Sequence, residues 1–319
     1  MGLVAGPDLE WAGRIEKLLG HKGDPWNWQN SELLRESVGI EAYFYILHHD
    51  GIPFANIMTA ELNGVGIFGH VWTNPEDRRK GAVSRLMERQ MEHFRARGGK
   101  ALFLGTGFDS PPYHIYRSFG FEGTENQSGL MEYYASSKAE FERDYFDGSP
   151  TVTKPLDWTH WPSSPALFMG AFPGVVRCAP LRLIGRSSTE GRLLPVLREM
   201  RSPREPSALP RAMALQNTKT SAVMGLAAWD WDPLWPDTCV VDVYCHPSSW
   251  NCAAELLEGL ALPKARRYIA YDDQACGAKI EVLRSNGFRP VATMGAWAPM
   301  NRAGTGIVDV TLYERILSA

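Results

Sequence analysis

One short stretch of this 319-residue chain has residue types in an order that suits a charged ligand: Arg78-Arg79-Lys80-Gly81-Ala82-Val83. It follows an apolar run ending in Val71-Trp72-Thr73 and precedes a segment of helical period, so it reads as a tight turn at a helix N-terminus. Such an end presents backbone N–H groups that have no intrahelical acceptor and carries the positive end of the helix dipole. Gly81 permits a close backbone approach that a Cβ would obstruct, and three consecutive basic side chains add positive charge. A pyrophosphate suits this site, although a solvated basic helix start would show the same cluster of charge. A second stretch, Trp229-Asp230-Trp231-Asp232-Pro233-Leu234-Trp235, sets aromatic faces beside carboxylates. It could hold a cationic amine or simply pack around a turn.

The turn needs a strand before it and a helix after it, and the hydrophobic pattern supplies both. Residues 42–47, 53–62 and 65–73 read as strands separated by His-His-Asp-Gly and Asn-Gly turn signals, an antiparallel meander. Residues 78–97 switch to helical period, with Val83, Leu86, Met87, Met91 and Phe94 on one face, and Gly98-Gly99 ends the helix. Upstream, Leu9, Ile15, Leu18 and Leu19 predict an opening helix, with a short second helix over 31–37. Downstream come a strand at 101–105, a Pro111-Pro112 loop, a helix over 113–119 and a strand pair around 129–134.

The second half repeats this order. A strand at 151–156, a helix after Pro162 and a helix over 189–200 lead to a Pro/Ser/Arg-rich break at 202–210. Strands follow at 211–215, 222–229 and 239–245, then a helix over 249–260 with Ser248 or Ser249 as N-cap. A strand at 267–271, a helix over 276–285 and strands at 291–298 and 307–315 close the chain. Self-similarity at a spacing of about 165 residues points to duplication. The expected fold class is α+β, with two tandem domains at 1–148 and 149–319, each a mostly antiparallel mixed sheet flanked by helices.

Composition narrows the function. With 44% hydrophobic and 22% charged residues, the chain can bury a sizeable core. A net charge of −3 gives no broad basic field for nucleic acid or an anionic membrane, which leaves small molecules as the expected partners. The N-terminus lacks a basic segment followed by a long apolar core, and no apolar run approaches about 18 residues, so a soluble cytoplasmic protein is expected. The five cysteines all fall in the second half without paired C-x-x-C spacing, which predicts reduced, mostly buried thiols and no metal site.

The run Val71-Trp72-Thr73-Asn74-Pro75-Glu76-Asp77-Arg78-Arg79-Lys80-Gly81 resembles the acetyl-CoA signature of the GNAT superfamily: Arg or Gln, two residues, Gly, one residue, then Gly or Ala. Val83 stands at the last position, a departure, with Ala82 beside it. Ile115-Tyr116-Arg117-Ser118-Phe119-Gly120-Phe121 resembles the family's Tyr-x-x-x-Gly-Phe segment after its splayed fifth strand. The resemblance covers residues 30–134 and extends to 151–319 by plan. It implies acetyl-CoA or another acyl-CoA as cofactor. The turn amides of Arg78, Arg79, Lys80, Gly81, Ala82, Val83 and Ser84 would hold the pyrophosphate, and those of Val71, Trp72 and Thr73 the pantetheine arm.

The resemblance also implies roles in catalysis. Tyr116 would be the general acid for the departing thiolate, which suits a phenol that remains protonated at neutral pH; a buried core tyrosine is the alternative. Family members often use a strand carboxylate, or water relaying to one, as base. Here the strand at 65–73 has no glutamate at its middle, which leaves His70 in that strand and Glu61 at the end of the previous one. A lone strand histidine also serves as a packed or hydrogen-bonded residue. If the strand bulges, the amide of Gly69, His70 or Val71 could polarise the thioester carbonyl.

At the matching junction the second half reads His246-Pro247-Ser248-Ser249-Trp250-Asn251-Cys252, without glycine, and Leu283 stands where the acid tyrosine would be. By this resemblance the second domain neither binds CoA nor catalyses; it stabilises the first domain or walls its substrate cleft. The expected function is acyl transfer from acyl-CoA to a primary amine of a small molecule by direct attack in a ternary complex, as a monomer or homodimer. Two alternatives remain open: a CoA-linked decarboxylase or O-acyltransferase, in which His114 gains weight, and a non-catalytic acyl-CoA sensor.

Overall fold

The computed structural model describes residues 1–202, 210–301 and 303–316, so the break expected at 202–210 lies, apart from its two ends, outside the described residues. The chain divides into two compact units, residues 1–124 with 128–144, and residues 125–127 with 145–319.

In the first unit β1 (Gly2–Gly6) leads into α1 (Leu9–Leu19) and α2 (Trp26–Arg35). The meander β2 (Glu41–His49), β3 (Ile52–Leu62) and β4 (Val65–Thr73) follows. After it come α3 (Ala82–Ala96), β5 (Ala101–Gly105), α4 (Pro111–Ser118), β6 (Glu122–Gly123), β7 (Leu130–Tyr134) and α5 (Lys138–Tyr145). The sheet order is β1-β2-β3-β4-β5-β7-β6, antiparallel except for β4 with β5. α1 starts where Asp8 accepts from the amides of Glu10 and Trp11 at 3.0 and 3.1 Å, and α4 where Ser110 accepts from Tyr113 N. α3 lays Leu86, Met87, Met91 and Phe94 against Phe68, Tyr116 and Phe121 in one buried cluster. It begins at Ala82, not Arg78, because Gly81 adopts a left-handed conformation that no helix continues. β1 went unread because five residues with one buried side chain carry no usable period.

The second unit contains β8 (Thr151–Pro155), α6 (Ser164–Phe168), β9 (Val176–Cys178), β10 (Leu183–Ile184), α7 (Glu190–Arg201), β11 (Ala212–Asn217), β12 (Val223–Trp231) and β13 (Thr238–Cys245). It continues with α8 (Ala253–Glu258), β14 (Arg267–Asp272), α9 (Gly277–Ser285), β15 (Arg289–Pro299) and β16 (Ile307–Ile316). Its large sheet has the order β8-β11-β12-β13-β14-β16-β15, and its one parallel pair, β13 with β14, holds the same place as β4 with β5. Two tandem α+β units with mixed, mostly antiparallel sheets are therefore the fold, as the shared plan predicts. The helix expected over 249–260 is shorter: a 3-10 turn, Pro247–Cys252, precedes α8, and its cap is the His246 ring, not Ser248 or Ser249. Among the described residues no helix is long and apolar enough to cross a membrane, and the cysteines are free thiols.

The parallel pair of the second unit is closed by its own chain. β13 and β14 pair only from Thr238–Val240 to Arg267–Ile269, and beyond that point residues 173–179 lodge at the seam. Tyr244 Oη on β13 donates to Pro173 O at 2.8 Å, and Asp242 accepts from Ala179 N at 2.8 Å. From the other side Asp273 accepts from the amides of Val175 and Val176, and Lys279 Nζ on α9 donates to Val176 O at 2.8 Å. Lys279 also pairs with Asp242 at 2.7 Å, both side chains being buried. Replacing Lys279 by Met leaves a buried carboxylate without its counter-charge. We expect this to lower stability by about 3–5 kcal/mol in urea denaturation, and replacing Lys279 and Asp242 together by leucine to cost much less.

Candidate functional site

β4 and β5 are paired only from Val65–Ile67 to Ala101–Phe103. Past Ile67 the β5 side of β4 has no strand partner, so backbone amides directed there are open through Thr73. On its other side β4 is irregular. Met58 faces Gly69 and Asn56 faces Trp72, so His70 and Val71 together oppose Ile57 alone. This is a bulge, and His70 carries its strain with a φ of +51°. The conditional expectation of a bulge at residues 69–71 is met.

Beyond Thr73 the chain makes a 3-10 turn, Pro75–Asp77, then the basic turn. Arg79 and Gly81 both have left-handed backbones, with φ of +61° and +76°. A Cβ on Gly81 would touch nothing within 4 Å, so conformation is what requires glycine here, and open space lies above it. The first bond into α3 runs from Arg85 N to Gly81 O at 3.1 Å, which leaves the amides of residues 82–84 without intrahelical acceptors. No side chain caps this end and the first turn has no acidic residue, although both are the usual ways of satisfying a helix start. Amides left open in this way fit a pyrophosphate.

Val71, Trp72, Thr73, Asp77, Arg78, Arg79, Gly81, Ala82, Val83 and Ser84 line one groove, which Pro112 and Ile115 of α4 complete; the Asp77 carboxylate in its wall is paired with Lys80. Of the residues expected to hold cofactor, Lys80 alone is not in its wall; it is exposed and pairs with Asp77 at 3.1 Å. Arg78 is held at the groove by a 3.0 Å bond to Thr73 O and by stacking 4.6 Å over Trp72, whose ring also meets His21 at 3.7 Å. Val83, at the position where the motif would carry Gly or Ala, packs on the core cluster and narrows the groove.

Tyr116 sits on α4 within the core cluster and not in the groove wall, next in sequence to the lining Ile115, its ring edge-on to Phe68 at 5.3 Å and only 5% exposed. Burial pushes its phenol well above the ordinary value, so it holds its proton at neutral pH. The two candidate bases lie elsewhere. Glu61 is buried opposite Gly66, on the order of 13 Å along the strand from His70 at the usual rise per residue. There it accepts from Arg97 at 2.8 Å and Thr59 at 2.7 Å, an ion pair at the far end of α3. His70 is buried against α2, where its Nε2 meets Gln29 Oε1 at 2.6 Å and its ring lies edge-on to Trp26. Desolvation pulls its imidazole down to about 3, with the charges of Lys22 and His21 adding to the effect. Asn56, also buried, donates to the His70 carbonyl at 2.9 Å.

Gln29 and Asn56 were not singled out from the sequence. Asn56 had a signal, an amide inside the apolar run Phe54-Ala55-Asn56-Ile57-Met58, but Gln29 had none, because α2 starts five residues before the predicted helix. His114 is exposed and paired with Asp109 at 2.9 Å. In the second unit the aromatic stretch already has a cation: Arg211 lies 4.9 Å over Trp229 and bonds Asp230, while Trp235 is exposed.

The buried imidazole sets a pH dependence. His70 titrates near 6.5 when unfolded and near 3 when folded, so below pH 6.5 the unfolded chain binds the extra proton and stability falls with pH. At pH 5 this amounts to about 2 kcal/mol. We expect His70→Asn to reduce the loss of stability between pH 7.5 and pH 5 by that amount in urea titrations.

Residues 57–124 match the family model described as Acetyltransferase (GNAT) domain. Among solved structures the chain is similar to an N-acetyltransferase from Staphylococcus aureus Mu50, with 18% identity over 53% of this chain and 100% of that one at a TM-score of 0.41. It is also similar to the ribosomal-protein-alanine N-acetyltransferase of Brucella melitensis, with 18% identity over 52% and 99% at 0.38. A third is the PaiA N-acetyltransferase of Thermoplasma acidophilum, in complex with coenzyme A, with 13% identity over 42% and 99% at 0.31. The search of curated proteins finds no match. These structural likenesses are too weak to carry an argument; the matched family model covers both motifs, the bulged strand and the basic turn. Residues 57–124 of the first unit are thus similar to a GNAT acetyltransferase domain.

Proposed function

We propose that the first unit transfers an acetyl or other short acyl group from acyl-CoA to a primary amine of a small molecule. The observation that carries this reading is a convergence. The splay between β4 and β5 and the uncapped start of α3 open on one groove, and the buried, protonated Tyr116 follows the groove-lining Ile115 on α4. When bound, acyl-CoA supplies an acyl group activated as a thioester. The amides of residues 79–84 would hold its pyrophosphate, the open edge of β4 its pantetheine arm, and an amide at the bulge would polarise the carbonyl. As the N–C bond forms and the C–S bond breaks, Tyr116 would give its proton to the departing sulfur, the attacking amine would release one proton to solvent, and positioning of the amine against the carbon would supply much of the rate. Loss of the basic turn and of the tyrosine position in the second unit supports a non-catalytic role for residues 149–319. The free cysteines suit a reducing compartment such as the cytoplasm.

Acetyl-CoA at about 100 times its dissociation constant should stabilise the chain by roughly 2.7 kcal/mol in a thermal-shift assay. Gly81→Glu, which strains a left-handed position and sets a carboxylate at the anion site, should abolish that shift. Absence of any shift with acetyl-CoA or longer acyl-CoAs in the native chain overturns the reading. Tyr116→Phe should keep acyl-CoA binding while lowering kcat about 100-fold or more in a free-thiol assay with a reactive amine; a non-catalytic sensor would show no turnover to lose.

A further inference from the structure

The bulge at His70 is the one irregularity in β4, and it is held from two sides by buried amides on other elements. Gln29 on α2 fixes the ring through Nε2, and Asn56 on β3 fixes the carbonyl through Nδ2. Gln29 and Asn56 are 0% exposed, and His70 is 7% exposed. A non-glycine residue at φ of +51° inside a strand persists only where its surroundings over-determine it. Both amides are costly to bury, and each bonds to His70. His70 Nδ1 is buried without a partner among the described residues, its Nε2 is occupied by Gln29, and the residue is not part of the groove wall.

We propose that Gln29 and Asn56 are positioning residues that clamp the bulge, and that His70 serves the reaction through its backbone conformation and not as a proton acceptor. This rests on the acyl-transfer reading of the same groove for its consequence in catalysis, but the clamp itself is a claim about the strand. Without it, β4 would relax toward regular pairing with β3 and swing the amides of residues 69–71 out of the line they present at the splay. A backbone held within a fraction of an ångström is what oxyanion stabilisation demands.

The test compares His70→Gly with His70→Val. In a regular strand valine is the more stabilising residue, whereas at a left-handed position glycine is accommodated and valine is not. The clamp predicts an inverted order: the thermal midpoint of the glycine variant lies above that of the valine variant, and its kcat is at least ten times higher. A valine variant as stable as the glycine variant, or more so, overturns the claim about the strand whether or not the chain turns over. If His70 were the proton acceptor, both variants would lose activity alike, and the acidic limb of the pH–rate profile would vanish in each; that result also overturns the proposal. Gln29→Leu, which keeps the side-chain volume near native and removes the acceptor, should lower kcat about 10-fold and weaken acetyl-CoA binding severalfold by titration calorimetry, with the pH–rate profile unmoved. Unchanged kcat and affinity in Gln29→Leu and Asn56→Leu would overturn the clamp. Failure of the native chain to bind any acyl-CoA would instead overturn the reading of the groove, and the order of the two midpoints would still decide the clamp.

Discussion

Two neighbouring strands that run parallel for three residue pairs and then part set the terms for the rest of the first unit. Parting leaves a row of amides and carbonyls without a strand to bond, and such groups must find partners or face water. The first residue of β4 past the pairing is Phe68, whose core ring meets Tyr116 of α4 edge-on. The groove is built about that opening. The meander brings β4 to it, the left-handed Gly81 turns the chain sharply into α3, and α4 closes the far wall with Pro112 and Ile115.

The apolar face of α3 shows how the opening is kept rigid. Its buried residues lock the helix onto the sheet, so the amides of its first turn hold a fixed distance from the edge of β4. Under the proposed function, an anion at that end and an extended chain along that edge would belong to one ligand with two dissimilar halves, one ionic and one peptide-like. The basic residues contribute unequally: Arg78 is fixed by a carbonyl and an indole, whereas Lys80 is turned to solvent. The local fold, more than the count of charges, decides which of them can meet a ligand.

Much of this was legible in the residues. The strands, the turn and the helix after it follow from periodicity and from Gly81, because hydrophobic alternation and a left-handed requirement are local properties that a sequence states directly. The groove lining followed from the motif. Harder to read were properties that depend on which element packs on which. Glu61 has the chemistry of a base, but Arg97, thirty-six residues later, claims it at the opposite end of the strand pair. His70 has the ordinary titration range for a base, but α2 buries it and Gln29 occupies one nitrogen. In the second unit the aromatic and acidic residues around Trp229 were open to a cation, and the chain itself provides Arg211. In each case a long-range partner, invisible to spacing, settles what a side chain of known chemistry is able to do.

The lodged segment at residues 173–179 makes the second unit a domain that carries its occupant as part of its own covalent chain. A tethered group meets its seat at an effective concentration of the order of millimolar, without the loss of translational freedom that a free molecule suffers on binding. Any diffusible competitor would have to displace Lys279, Asp242 and Asp273 from their bonds as well as the segment itself. Under the proposed function, a chain built from two copies of one plan has a binding stoichiometry of one, and the response of its first unit to ligand is not shared by the second.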